Sequence, residues 1–211
     1  DFGKEVLDGV QAQADRMKLK IVETTTHKPT DQDFTAQVTK LKAANCDLVV
    51  LGTIVRDSIV PYATARKMGW TDVDFLGSAA SYDLFVAAAQ GGVTEGFYAM
   101  GLTAMPYRDT LSPQAQAWFD RYKERYKVDP NIGAIYGHVA ADLTATAIEN
   151  TGPELTTENF VKAMESIKGY HDIFHGPEVS FGPDKHQGAN SSFLAQVKGG
   201  RWVRLTDPLS F

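Results

Sequence analysis

The chain has 211 residues, 43% of them apolar and 22% charged, the balance of a folded globular protein and not of a disordered one. Lys and Arg number 21 against 26 Asp and Glu, a net charge of −5, which argues against general nucleic-acid binding and against adhesion to anionic membranes. A single cysteine, Cys46, excludes an internal disulfide framework and any multi-cysteine zinc site.

Apolar runs such as 48–51 and 86–89 fall far short of the roughly 20 residues that span a bilayer. Residues 4–17 set Val6, Leu7, Val10, Ala14 and Met17 at helical spacing, with Asp1 placed to cap. The β-branched alternation of 19–25 predicts a strand. Turn residues at 30–33 open a helix to about 44, carrying Phe34, Val38 and Leu41 on one face. Residues 47–52 form a continuously apolar strand of the kind covered on both sides in a parallel sheet. A helix over 57–68 closed by Gly69, a strand over 74–77, a helix over 82–90 and a strand over 96–102 follow. Helix and strand alternating across short connections predict crossover units, hence an α/β, Rossmann-like, mostly parallel sheet flanked by helices. Such a sheet ordinarily opens with a strand, so one is expected just before Asp1.

Beyond 102 the character changes. Residues 105–109 read as a linker or crossing segment around Pro106. Three helices are predicted over 112–126, 132–150 and 157–167; Ser112-Pro113 suits a cap followed by a first-turn proline, and Gly152 and Gly169 suit the stops of the second and third. Short strands are expected at 178–181, 192–197 and 202–205, with Lys198-Gly199-Gly200-Arg201 turning the last pair into a hairpin.

Motifs for chemistry are sparse. The sequence has neither a Gly-x-Gly-x-x-Gly nor a phosphate-cradling loop ending in Gly-Lys-Ser or Gly-Lys-Thr, so no cofactor is implied. It has no Gly-x-Ser-x-Gly elbow. His171 and His175 are four apart, a metal-binding spacing only on a helix, and the glycines and proline around them predict a loop with solvated imidazoles. His138 and Asp142 lie one helical turn apart, a candidate acid–base pair without an identifiable nucleophile; a helix-surface contact is the simpler reading. Cys46, between a helix end and an apolar strand, reads as a buried, inert thiol. Trp118, Phe119, Tyr122 and Tyr126 have the spacing of a packed helix face. The informative positions are the carboxyl ends of the strands, where open parallel sheets bind ligands. These are Phe2-Gly3, Gly52-Thr53-Ile54 and the run Gly77-Ser78-Ala79-Ala80-Ser81-Tyr82. Small residues, hydroxyls and a few aromatics suit a partly apolar small molecule that is held and not converted.

Several stretches, in order and over essentially all the chain, resemble type I periplasmic substrate-binding proteins of ABC transporters, in the leucine/isoleucine/valine-binding branch. They include Asp1-Phe2-Gly3-Lys4, Asp33-Phe34-Thr35-Ala36-Gln37-Val38, Asp47-Leu48-Val49-Val50-Leu51-Gly52, Met68-Gly69-Trp70 and Phe75-Leu76-Gly77-Ser78. Near the C-terminus Phe181-Gly182-Pro183-Asp184-Lys185-His186 and Gln196-Val197-Lys198-Gly199-Gly200 also fit. The resemblance implies two α/β lobes that close on a small-molecule solute and deliver it to an ABC permease, without enzymatic activity and without nucleic acid. It aligns the chain with the C-terminal portion of such a protein. Residues 1–104 plus 176–211 then belong to the C-terminal ligand-binding lobe, less its first strand, and 105–175 to the crossing segments and helices of the N-terminal lobe, whose sheet is missing. A periplasmic location behind a signal peptide upstream of residue 1 is implied, and an isolated piece would expose helix faces that favour a homodimer.

By the same resemblance the ligand-binding residues are Phe2, Thr53, Ile54, Ser78, Ala79, Ala80, Tyr82 and Tyr136. In amino-acid binders of this branch the loop after the Phe-Leu-Gly strand carries an acidic residue for the ligand's ammonium, and Ala79 stands there. Asp83, one turn later, reads as a helix cap. An aromatic or aliphatic carboxylate, keto acid or amide is therefore expected ahead of an amino acid. An amide- or metabolite-sensing regulator of the same fold and, more remotely, a hydrolase using His138 and Asp142 are the alternatives.

Overall fold

The computed structural model describes residues 1–210, so Phe211, the last residue of the expected 176–211 segment, lies outside the described residues. The chain divides into two compact units. Unit 1 comprises residues 1–101 and 194–206, unit 2 residues 102–193 and 207–211.

Unit 1 begins with α1 (Phe2–Met17) and continues through α2 (Thr35–Ala43), β1 (Leu48–Leu51), α3 (Val55–Lys67), β2 (Asp74–Gly77), α4 (Leu84–Ala87) and β3 (Tyr98–Gly101). β1 pairs with β2, and β2 with β3, in parallel, with Val49 opposite Phe75 and Leu76 opposite Tyr98. β4 (Ser191–Lys198) and β5 (Arg201–Arg204) extend the sheet in the order β1-β2-β3-β4-β5. Lys198 pairs with Arg201 across a two-residue hairpin loop, Gly199 at φ 58 and Gly200 at φ 74, the left-handed pair that matches strand twist. Where β3 meets β4, the amide of Gly96 donates to Val197 O and the amide of Val197 to Phe97 O. Two residues thus oppose one, with Gly96 at φ 84, a glycine-headed bulge.

An aromatic stack fills the sheet's core. Tyr62 meets Phe75 and Phe97 edge-on at 5.3 Å each, and all three are essentially buried; such rings contribute about 1.5–3 kcal/mol each by burial. Arg66 locks this stack. Its guanidinium lies 4.4 Å from the Tyr62 ring centroid and donates to the carbonyls of Trp70 at 2.7 Å and Val73 at 3.0 Å and to the Tyr62 hydroxyl at 3.1 Å.

Several expectations need correction. Residues 19–25 form no strand. Their side chains alternate, Ile21, Glu23 and Thr25 half-buried, Val22 and Thr24 exposed, as in an extended chain. A strand needs a ladder, however, and the segment is held by side chains: Lys40 Nζ lies 3.0 Å from Glu23 and Gln37 Nε2 donates to Thr26 O. β1 is the outermost strand on its side. α2 starts at Thr35 with Phe34 at its N-cap position and no side-chain cap bond, while Asp33 just before it accepts from the Thr35 amide at 2.8 Å and hydroxyl at 2.6 Å. Asp1 stands at the start of α1 without a side-chain cap bond. The helix expected over 82–90 is only α4, because the Thr94 hydroxyl donates to Val86 O at 2.6 Å and Gly91 turns to φ 74.

Unit 2 holds α5 (Pro113–Tyr126), α6 (Ile132–Thr151) and α7 (Thr157–Ser166). Ser112, Asn131 and Thr156 cap them, accepting from the amides of Ala115, Ala134 and Asn159. Trp118 packs edge-on against Phe174 at 4.8 Å, and Ala147, Ala163 and Ile167 form a smaller core between α6 and α7. β6 (Leu209–Ser210) pairs antiparallel with Ser191 and Ser192, an element the sequence reading lacks. The strand expected over 178–181 is a single bridge, Val179 to Tyr170, because Phe181 donates instead to Ile167 O and Ser180 to Gly188 O. Among the described residues no helix is long and apolar enough to cross a membrane.

The Arg66 lock is testable. Arg66→Lys cannot reach two carbonyls and the phenol at once, and leaving buried acceptors unpaired costs about 1–3 kcal/mol. Chemical denaturation followed by tryptophan fluorescence should show that loss.

Candidate functional site

The carboxyl ends of β1 and β2 carry the site-forming loops of unit 1. After β1, Gly52 is overlaid by the first turn of α1: a Cβ there would lie 3.1 Å from Val6 Cβ and 3.2 Å from Gly3 Cα. Phe2, 45% exposed at the start of α1, is thereby held close to the Gly52-Thr53-Ile54 loop. Ile54 is 60% exposed and begins α3 without a side-chain cap. After β2, a 3-10 turn over Ala79–Ser81 carries Ser78, Ala79 and Ala80 half-buried beside the same loop.

A network of hydroxyls ties these loops together. Ser58, fully buried in the first turn of α3, shares hydrogen bonds with Thr53 Oγ1 at 2.8 Å and Ser81 Oγ at 2.7 Å and donates to Ile54 O at 3.0 Å. Ser78 donates to Thr53 O at 3.3 Å, and Ser81 Oγ lies at the same distance from that carbonyl. Gly77 makes room for this: a Cβ there would sit 2.4 Å from Ser81 Cβ. Five residues from two loops and a helix therefore form one bonded unit beneath the rim.

Of the expected ligand-binding residues, Thr53, Ile54, Ser78, Ala79 and Ala80 come together here, with Phe2 alongside. Tyr82 is different. It is 4% exposed and stacks on Trp202 at 5.1 Å, and Trp202 Nε1 donates to Asp83 O at 2.8 Å, so Tyr82 braces the loop from behind. Tyr136 belongs to unit 2, where it lines a cavity of about 260 Å³ with Leu102, Ile135, Val139, Leu143 and Val179. Ser58 was missed, and Ser81 was noted only as part of its loop. The signal for Ser58 is a hydroxyl on a helical stripe shared with Pro61, Tyr62 and Ala65, all buried along α3.

The ionisable groups around the loops are already engaged. Asp57, 5% exposed, accepts from Arg56 Nε at 2.5 Å and lies 3.1 Å from His27 Nε2. The hydrogen bond to Asp57 holds the Arg56 guanidinium above its ordinary pKa, and Arg56 also donates to Pro29 O. Asp83 accepts from the Phe85 amide at 2.8 Å, capping α4.

The other candidates have structural employment. Asp142 accepts from the Tyr170 hydroxyl at 2.7 Å, while the His138 ring lies 5.5 Å from Trp118 and 5.6 Å from Phe174. Burial and then the Asp142 carboxylate push the Tyr170 phenol upward, keeping it a proton donor. His171 faces Glu178 at 3.5 Å and His175 sits at φ 57 in a loop. Cys46 is half-buried and not fully buried as expected. Burial, with Asp47 and Glu23 nearby, raises its thiol above the usual value.

A partly parallel sheet with hydroxyl and apolar side chains at its strand ends is the arrangement in which α/β folds carry ligand sites. Residues 1–201 match the sequence model of the family described as periplasmic binding protein, and the chain belongs to that family. Among solved structures it is similar to a branched-chain amino acid ABC transporter protein from Thermus thermophilus with bound valine, with a TM-score of 0.88 at 21% identity over 100% of this chain. It is likewise similar to a fatty acid ABC transporter substrate-binding protein from Thermomonospora curvata (0.84, 24%, 100%) and to an R. palustris solute-binding protein in complex with benzoate (0.76, 18%, 99%). The chain spans 58%, 55% and 56% of the lengths of those three. At such identities the likeness speaks for the fold. No curated protein matches the chain.

Two outcomes follow. Ser58→Ala removes the node of the network and should cost about 1–2 kcal/mol of stability, seen as a lower urea midpoint at unchanged slope. Cys46 should alkylate with iodoacetamide at pH 8 more slowly than free cysteine, because less of it is thiolate; timed mass spectrometry measures the rate.

Proposed function

We propose that this chain is the solute-binding part of an ABC transporter receptor, which captures a small organic solute and hands it to a membrane permease. The observation that carries this reading is the bonded rim at the strand ends, Thr53, Ser78 and Ser81 fixed by Ser58 beneath exposed Ile54 and Phe2. Such a rim offers shape, neutral hydrogen-bonding groups and apolar contact, which bind a solute and leave its bonds alone. The engagement of His138 and Asp142 in packing and in the Tyr170 bond favours a binder over an enzyme. Family membership and the likeness to transporter binding proteins support the same role.

In this reading unit 1 is the ligand-binding lobe, α5 to α7 return toward a second lobe, and the protein works in the periplasm. Phe2, Thr53, Ile54, Ser78, Ala79 and Ala80 face the solute from this lobe, and Tyr82 supports them. The solute is an amino acid, or an aromatic or aliphatic carboxylate or amide; the valine, benzoate and fatty acid in the names of the similar structures are an amino acid and two carboxylates.

The test is a thermal-shift screen of such solutes followed by calorimetry on the best. Binders should raise the melting temperature, with a shift that keeps growing as the logarithm of ligand concentration above Kd. Ile54→Asp, at an exposed position, should leave the unliganded melting temperature in place and weaken an apolar solute on the order of tenfold or more. An unchanged affinity would remove the rim from the site.

A further inference from the structure

Asp57 is 5% exposed and lies in the first turn of α3, between the rim residue Ile54 and the hydroxyl node Ser58. An acid in the first turn of a helix ordinarily serves that helix by turning back on its free amides. Here both oxygens are spent sideways. Oδ1 accepts from Arg56 Nε at 2.5 Å, and Oδ2 lies 3.1 Å from His27 Nε2. Arg56 Nη2 donates in turn to Pro29 O at 2.8 Å. The carboxylate and the guanidinium beside it therefore grip a separate stretch of chain, at His27 and at Pro29.

That stretch depends on the grip. Residues 19–34 belong to neither strand nor helix, so ladder bonds do not fix them. The His27 ring packs edge-on against Phe34 at 5.0 Å, and Phe34, itself buried, stands at the start of α2. Asp57 thus joins the start of α2 to the first turn of α3. Ser58, the next residue, joins the same turn to the loop after β2. A helix turn held from one side can rock about that side; held from two, it keeps one orientation. A buried carboxylate adds little net stability compared with apolar packing, but it holds its partners to one geometry. We propose that Asp57 is a positioning residue of the solute-binding rim: through His27 and Arg56 it fixes the first turn of α3, and with it the direction in which Ile54 is presented. The rim's identity rests on the receptor reading, whereas the contacts that fix it do not.

Local mobility is the readout, because a loss of stability alone is not confined to one turn. In the 211-residue chain Cys46→Ser removes the single cysteine, and a nitroxide is attached at Ile54→Cys or, as a control on β5 at the other edge of the sheet, at Val203→Cys; both positions are exposed. Asp57→Asn then keeps the shape of the side chain and removes its charge. The electron paramagnetic resonance spectrum of the label at position 54 should shift toward faster motion, with the label at position 203 unchanged. His27→Phe keeps a ring against Phe34 and deletes the bond to Asp57; it should shift the position 54 spectrum in the same direction, and it decides the matter where Asp57→Asn does not fold. An unshifted spectrum at position 54 in either folded variant overturns the inference. Equal mobilisation at position 203 does so too, since that is what weakening of the whole unit gives, and so does failure of both variants to fold. None of these results touches the receptor reading, which stands or falls on the solute screen.

Discussion

Ser58 is the residue on which the candidate site depends. Its hydroxyl is wholly enclosed and connects the loop after β1, through Thr53, with the turn after β2, through Ser81. A buried hydroxyl is tolerable only when bonded, and here each partner's satisfaction depends on the others' positions. The two loops are thus fixed relative to each other by hydrogen bonds. That leaves the apolar residues above them, Ile54 and Phe2, free to face outward without loosening the scaffold. The close approach of Ser81 to Gly77, which admits no Cβ, sets the turn at the depth where this network closes.

Behind the loops the sheet is braced from the opposite direction. β4 and β5 add antiparallel strands to the parallel set, and Trp202 on β5 reaches across to Asp83 O while its ring backs Tyr82. The loop after β2 is therefore clamped on one side by Ser58 and on the other by Trp202. The bulge at Gly96 lets Phe97 turn into the core against Tyr62 while β3 and β4 stay paired. Glu95 at the same corner accepts the Gly199 amide of the hairpin loop and, through its carbonyl, the Tyr62 hydroxyl. One corner thus couples the hairpin, the bulge and the aromatic core.

What the sequence discloses follows the range of the forces involved. β1 and β2, and the helices α5 to α7, are read nearly to the residue because apolar runs, caps and helical spacing are local signals. The Gly199-Gly200 hairpin is equally local, since the two glycines name the turn. Residues 19–25 look like a strand because alternation is local, whereas the ladder that would make them one is not. α4 is cut short by Thr94 from beyond its end, and β6 is two residues defined solely by pairing with Ser191 and Ser192. At the site, the strand-end rule locates Thr53, Ile54 and the 78–82 loop, but the burial of Tyr82 depends on Trp202, 120 positions later in the chain. Ser58 is concealed because a serine in a helix is ordinary until its helical face is known to be buried.

These residues divide their labour between holding the loops and forming the rim. Residues that hold the loops, Ser58, Ser81, Gly77 and Tyr82, are buried and mutually dependent, so substitution there is felt as lost stability. Ala79 and Ala80, half-buried on the turn, carry side chains that take part in none of the bonds fixing the loops. Changing their charge or size alters what the rim presents without dismantling what supports it. Acids that do sit near the rim, Asp57 and Asp83, are placed where removing them would disturb α3 or α4. The electrostatic character of this rim is thereby separated from the electrostatics that hold the fold.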